Sequence, residues 1–344
     1  MKKDSLFFLA PVIALVFSSF IYLLFMSSFH HFDPEGNRFF NILQLYPQLK
    51  DGRVLFLGES QVREDVDCEL LEEKSGSKNW CYNFGLAGML PIQLALQKDV
   101  IVAAKPKVVV FGITASTFDE GINKNDDFFF LLNGQQSVAA QVGVISQLTA
   151  DEKKLLLMNF YEKALYKRKF ILPFYFAVLD RLGSSSGFAQ INGVSTAVSN
   201  VKNPHQFMVS ENEDELRKRI EDPAIVKMFY FEQTPLRERE AFTYLVGELK
   251  KEGVDVVIVQ MPLHPLVRSV VTNESKKVFE DYLSHLSLEF GVKVINLENE
   301  FDDPVFFVDL THLTKEGSTL FSSVLFGSPS FNSQLLLEGK DVIQ

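Results

Sequence analysis

An open parallel α/β sheet is the fold class this sequence predicts, from three runs rich in apolar and β-branched residues: Val54-Leu55-Phe56-Leu57, Val108-Val109-Val110-Phe111 and residues 254–259. The first run has no polar alternation, which fits a strand covered by helices on both faces better than one half in water. Helical stretches with short joins lie between the runs, and strand, helix, strand in succession is the pattern of a parallel sheet.

Taken in order, the chain begins Met1-Lys2-Lys3 and continues with an almost unbroken apolar run over residues 6–26. That run is long enough to cross a bilayer as a helix. It exceeds a signal-peptide core and lacks a small-x-small cleavage pattern, so it reads as a retained single-pass anchor over residues 1–27; a cleaved signal peptide is the alternative. Lys2 and Lys3 before the run place the N-terminus in the cytoplasm and everything after residue 27 outside. Residues 28–52, with Phe39, Phe40, Ile42, Leu43, Leu45 and Tyr46, read as a juxtamembrane spacer lying near the membrane or against the domain.

The run at 54–57 ends in Gly58-Glu59-Ser60, followed by a polar turn and a helix stopped at Lys74-Ser75-Gly76. Trp80-Cys81-Tyr82-Asn83-Phe84 is a short aromatic strand entering a glycine turn at Gly85 to Gly88. Residues 91–104 read as one helix and 107–112 as a second buried strand. From 119 to 233 the rhythm stops. Phe128-Phe129-Phe130 and Pro173-Phe174-Tyr175-Phe176 mark a helical insertion whose aromatic stripe is core, or else a contact with the bilayer or a membrane partner. Residues 184–203 and the charge run at 210–222 read as solvated linkers.

The α/β pattern resumes with Thr234 as N-cap and Pro235 opening a helix. Its stripe is Phe242, Leu245, Val246 and Leu249, and Gly253 ends it. A strand at 254–259, a loop carrying His264, a helix over 273–291, a strand at 292–297 and a last helix at 317–325 follow. One α/β domain is thus expected from 53–118 and 234–330, with 331–344 a tail.

Composition bounds the function. Asp plus Glu number 44 against 34 Lys plus Arg, a balance that argues against nucleic acid as a partner, because phosphate binding needs a basic face. The two cysteines, Cys68 and Cys81, have no metal-ligand spacing, and no metal or cofactor is expected. Outside the cytoplasm they form a disulfide or remain two buried thiols, since sequence does not supply the geometry a bridge needs.

Ser60 after a buried strand is a candidate nucleophile, although Gly-x-Ser alone also fits an N-cap or turn. A serine hydroxyl needs a base, usually His oriented by Asp, and donors for the oxyanion. Asp309-Leu310-Thr311-His312 offers orienter and base on one loop, although alone it also fits a capped helix start with a surface histidine. His264 follows a strand on the same sheet edge, as a substrate contact or a structural hydrogen bond. Arg63 is a candidate for holding an anionic or acyl-carbonyl group, or pairs with Glu59, Glu64 or Asp65.

The blocks Gly58-Glu59-Ser60, Asn83-Phe84-Gly85-Leu86-Ala87-Gly88, Gly112-Ile113-Thr114 and Asp309-Leu310-Thr311-His312 together resemble the SGNH (GDSL-like) hydrolase superfamily. The likeness is greatest to its membrane-anchored branch, which includes the D-alanine transfer protein of teichoic-acid modification and the alginate O-acetylation proteins. The resemblance implies a three-layer flavodoxin-like sheet, Ser60 as nucleophile, His312 as base and Asp309 as its orienter. It implies an oxyanion hole from the Ser60 and Gly88 N–H groups. Thr114 stands where many relatives have Asn; its hydroxyl, which can donate one hydrogen bond, is the third oxyanion-hole candidate, and losing such a donor costs on the order of 3 kcal/mol of transition-state stabilisation. Two function classes follow: an O-acyltransferase or esterase acting on an envelope glycan or acyl ester, and a non-catalytic partner binding a glycan or a membrane-bound O-acyltransferase.

The lysine flank predicts that a reporter fused after Gln344 is active outside the cytoplasm. Activity confined to the cytoplasm contradicts this orientation.

Overall fold

The computed structural model describes residues 38, 42, 45–49, 53–119, 211–234 and 236–336. The expected membrane span and most of the insertion lie outside the described residues, among which no helix is long and apolar enough to cross a membrane. Strands β1 (Val54–Gly58), β2 (Cys81–Asn83), β3 (Val108–Ile113), β4 (Asp255–Gln260) and β5 (Lys293–Asn296) form one sheet in the order β2-β1-β3-β4-β5, every pair parallel. The helices are α1 (Ser60–Asp65), α2 (Cys68–Ser75), α3 (Pro91–Leu96), α4 (Lys98–Ala103), α5 (Glu213–Ile220), α6 (Pro223–Lys227), α7 (Leu236–Lys251), α8 (Pro265–Val270), α9 (Asn273–Phe290), α10 (Lys315–Gly327) and α11 (Pro329–Leu336).

Both faces of the sheet are covered, as the unbroken apolar runs require. Leu55, Leu57, Val109, Phe111, Val256 and Ile258 face a cluster shared with Leu94 of α3, Phe242 of α7 and Leu283 of α9. Their neighbours Val54, Phe56, Val108, Val110, Val257 and Val259 face the other side, with Val62 of α1, Leu71 of α2, Phe321 of α10 and Phe331 of α11. Strands from both sides of the insertion therefore share one sheet. Phe118 and Phe231, near the two ends of the insertion, meet edge to face at 5.3 Å. The strand order reverses between β1 and β3, and the crevice at the carboxyl ends of such strands is where open α/β sheets place ligands.

Cys68 and Cys81 form a disulfide with Cα atoms 5.3 Å apart, tying the start of α2 to the start of β2. Closing a loop of this length restricts the unfolded chain by on the order of 3 kcal/mol. Glu72 of α2 reinforces the junction by accepting the Trp80 and Cys81 N–H groups.

Several expectations are corrected. The helix expected at 91–104 is two, α3 and α4, because Gln97 takes φ −88° and ψ 0° between them. The charge run at 210–222 is not a linker. It contains α5, started by a reciprocal cap between Asn212 and Glu215 and seated by Leu216, which packs with Val267 and Leu310. The Thr234 hydroxyl donates to the Phe231 carbonyl, and the cap of α7 at Pro235 lies outside the described residues. Of the two readings of the juxtamembrane spacer, packing against the domain holds for Ile42, Leu45 and Tyr46, which belong to the core. Residues after 330 are not simply a tail, because Phe331 of α11 is fully buried against Phe56, ring centroids 6.1 Å apart.

Removing so large a buried side chain leaves a cavity, so Phe331→Ala is expected to lower unfolding stability by about 3–5 kcal/mol in a denaturant titration. A change within error would show that α11 contributes nothing to the core.

Candidate active site

The position of Ser60 is set by a pair of glycines. Gly58 and Gly112 are cross-strand partners at the ends of β1 and β3. A Cβ on Gly58 would lie 2.5 Å from both the Gly112 carbonyl oxygen and Val62 Cγ2, and one on Gly112 would overlap Val62 and Met261. Their absence lets α1 settle directly on the strand ends with Val62 pointing down. Gly85 acts similarly on the other side, since a Cβ there would strike the Arg63 backbone. Ser60 is the first residue of α1, so its N–H lies in the turn that has no intrahelical acceptor.

Asn83, at the end of β2, anchors α1 from below. Its amide donates to the Val62, Arg63 and Val66 carbonyls at 2.7, 3.2 and 2.9 Å, and its oxygen accepts the Gly85 N–H at 3.0 Å. One buried side chain thus satisfies the carbonyl end of the helix and shapes the glycine turn beside it. The turn closes with Met89 N–H donating to the Leu86 carbonyl, and Gly88 takes φ 65°, the left-handed region.

The loop at 306–314 brings the second half of the site. Phe307 and Leu313 pair across its base, and Thr314, not Asp309, caps α10. Asp309 Oδ1 accepts the Thr311 and His312 N–H groups at 2.7 and 2.8 Å, fixing the carboxylate to its own loop. Its Oδ2 accepts from His312 Nδ1 at 2.8 Å. With that proton on Nδ1, Nε2 presents a lone pair, and Ser60 Oγ lies 2.7 Å from it. Ser60, His312 and Asp309 are therefore brought into one chain of hydrogen bonds.

The loop is held from three directions. Gln61, beside Ser60, donates its amide to the Pro262 and Thr311 carbonyls at 3.1 and 2.8 Å. The His264 N–H donates to the Leu310 carbonyl at 3.1 Å. Asp65 Oδ1 accepts the Leu313 N–H at 2.9 Å.

Other expected contacts are placed differently. The His264 ring is buried; Nδ1 accepts the Leu266 N–H at 3.1 Å as the cap of α8, and the ring meets Phe307 edge to face at 5.2 Å. It braces the loop, the structural one of its two sequence readings. Arg63, only 9% exposed, pairs with Glu64 at 2.5 Å, so its guanidinium serves packing within the fold. The Thr114 hydroxyl is buried, 2.8 Å from Ser116 Oγ and 3.4 Å from Gln61 Oε1, so it is committed to protein partners and is not left as a donor towards Ser60. Among the described residues no group of three or more His, Cys, Asp or Glu side chains could hold a metal ion.

Gln61 was not singled out by sequence reasoning, Asn83 entered only as part of a block and Asp65 only as a possible partner of Arg63. Asn83 carried a usable signal, a lone amide at the end of an aromatic strand. Gln61 and Asp65 carried none, because polar residues after a nucleophile read as a solvated turn.

Electrostatics follow the geometry. Burial alone would raise the Asp309 carboxyl, but the hydrogen bond and charge of His312, with the two loop N–H groups, bring it down to about 2. Burial alone would lower the His312 imidazole, but the Asp309 hydrogen bond and charge, added to the Asp65 and Glu59 carboxylates, hold it above its ordinary value. Burial pushes Glu59 up against the opposing hydrogen bond from Thr117 Oγ1 at 2.6 Å and the charge of His312.

A raised folded value means that the His312 contribution to stability is complete below about pH 6.5 and is lost as pH rises through the folded midpoint. The depressed Asp309 contributes above about pH 3.9, and that part is lost as pH falls through its folded midpoint. In an NMR titration His312 is expected to show a midpoint above about 6.5, lowered by Asp309→Asn. A midpoint unmoved by that substitution would contradict the pairing. No family model and no curated protein matches this chain.

Proposed function

We propose that this chain is a membrane-anchored, extracytoplasmic serine acyl-transfer enzyme of the SGNH type, an O-acyltransferase or esterase acting on an envelope glycan or polymer. The observation that supports it most is the hydrogen-bonded series Ser60 Oγ, His312 Nε2, His312 Nδ1, Asp309 Oδ2, with contacts of 2.7 and 2.8 Å. The strand order matches the flavodoxin-like arrangement, and the series lies at the carboxyl ends of its strands.

In this reading His312 Nε2 takes the Ser60 proton as Oγ bonds to the carbonyl carbon of an acyl ester. The carbonyl electron pair moves onto oxygen, where the Ser60 and Gly88 N–H groups stabilise it. Collapse expels the alcohol, which leaves with the proton from Nε2, and the acyl group stays on Ser60. A glycan hydroxyl or water then gives its proton to Nε2 and attacks, and the second collapse returns the proton to Ser60. Asp309 holds the tautomer and stabilises the imidazolium formed in each half.

A second reading has one observation in its favour. With the Thr114 hydroxyl held by Ser116 and Gln61, the oxyanion hole rests on backbone donors alone. On that ground the fold would bind a glycan or a membrane-bound O-acyltransferase without turnover.

Ser60→Ala and His312→Ala are each expected to abolish most turnover of an acyl-ester substrate, with the double change costing little more, because such groups act as a unit. Asp309→Asn is expected to be severe through the wrong tautomer, and Thr114→Ala mild. Full turnover by Ser60→Ala would end the nucleophile assignment and leave the binding reading.

A further inference from the structure

Asp65 ends the helix that Ser60 begins, and it is fully buried, 0% exposed. Placing a carboxyl there is unfavourable unless hydrogen bonds replace water. Only one oxygen is served: Oδ1 accepts the Leu313 N–H at 2.9 Å, while Oδ2 is buried with no hydrogen-bond partner. Leu313 follows His312 directly, packs its side chain in the core and pairs its backbone with Phe307. A single hydrogen bond therefore runs from the far end of the Ser60 helix to the residue after His312. Gln61 and the His264 N–H hold the loop before His312, at Thr311 and Leu310; Asp65 holds it after.

We infer that Asp65 is a positioning residue: through the Leu313 N–H it sets the His312 ring against Ser60, acting as a hydrogen-bond acceptor. Sliding α1 along the strand ends would move Ser60 Oγ and Asp65 Oδ1 together, so nucleophile and base loop keep register. Burial favours the uncharged form, against the charge of His312 and the Leu313 N–H and in concert with the like charges of Asp309 and Glu64. The consequence for rate rests on the acyl-transfer reading, whereas the contact itself does not.

Two substitutions in the full-length chain separate acceptor from charge. Asp65→Asn keeps an oxygen for the Leu313 N–H and cannot ionise; Asp65→Leu has similar reach and no acceptor. With 15N-histidine labelling, the hydrogen-bonded Nδ1 proton of His312 is expected to persist in Asp65→Asn and to vanish in Asp65→Leu. Ester turnover should stay within about threefold for Asp65→Asn. In Asp65→Leu, kcat is expected to fall by about 100-fold with KM little changed, the scale of a small misplacement of reacting groups. Should Asp65→Leu fail to fold, Asp65→Ser, too short to reach Leu313, takes its place. The inference is overturned if the variant without an acceptor keeps the wild-type His312 resonance, or if Asp65→Asn loses it as completely as the leucine variant. Because the resonance reads the His312 geometry with or without turnover, failure of the acyl-transfer reading leaves this test intact.

Discussion

The contact between Ser60 Oγ and His312 Nε2 joins residues 252 apart in sequence, and the surrounding structure is arranged so that both ends of it are fixed. A hydrogen bond weakens steeply once its geometry drifts, and a loop free in solvent would not keep a ring within 2.7 Å of a hydroxyl on another element. Here Ser60 sits on a short helix pressed onto paired glycines and held from below by Asn83. His312 sits on a loop whose Asp309 carboxylate caps its own backbone with one oxygen and orients the ring with the other. Most of these ties are buried, where hydrogen bonds are stronger and an unmade one is costly.

The sheet was legible because parallel strands buried on both faces must be apolar throughout, and β1, β3 and β4 show it in Val54 to Leu57, Val108 to Ile113 and Val256 to Val259. The elements that escaped reading have few inward residues. In α1 only Val62 is apolar, yet Gln61, Arg63, Glu64 and Asp65 are buried with it. Polarity usually signals solvent, and here it signals a hydrogen-bonded interior that no period reveals. In α5 the single anchor is Leu216, and the usable sign was the spacing of Asn212 and Glu215. In α11 it was Pro329 opening a turn that delivers Phe331.

The site divides the same way. Ser60, Asp309 and His312 could be named because nucleophile, orienter and base need particular residue types, and one turn of loop can carry two of them. For His264 and Arg63 position and charge left a substrate role and a structural one both open. Their surroundings show why type alone misleads: an imidazole nitrogen serves as a helix cap as readily as an oxygen does, and a guanidinium next to an acid pairs with it. Thr114 shows the same limit, since a hydroxyl's partners are set by neighbours such as Gln61 and Ser116 that only the fold assembles.

An activated serine and an idle one differ in reactivity more than in appearance. The most direct measurement is to treat the full-length chain in detergent with a fluorophosphonate and locate the adduct by peptide mass spectrometry, for the native sequence and for His312→Ala. The account predicts an adduct on Ser60 that is lost when His312 is removed. An unmodified Ser60 in folded protein, or an adduct that forms equally well without His312, would contradict it.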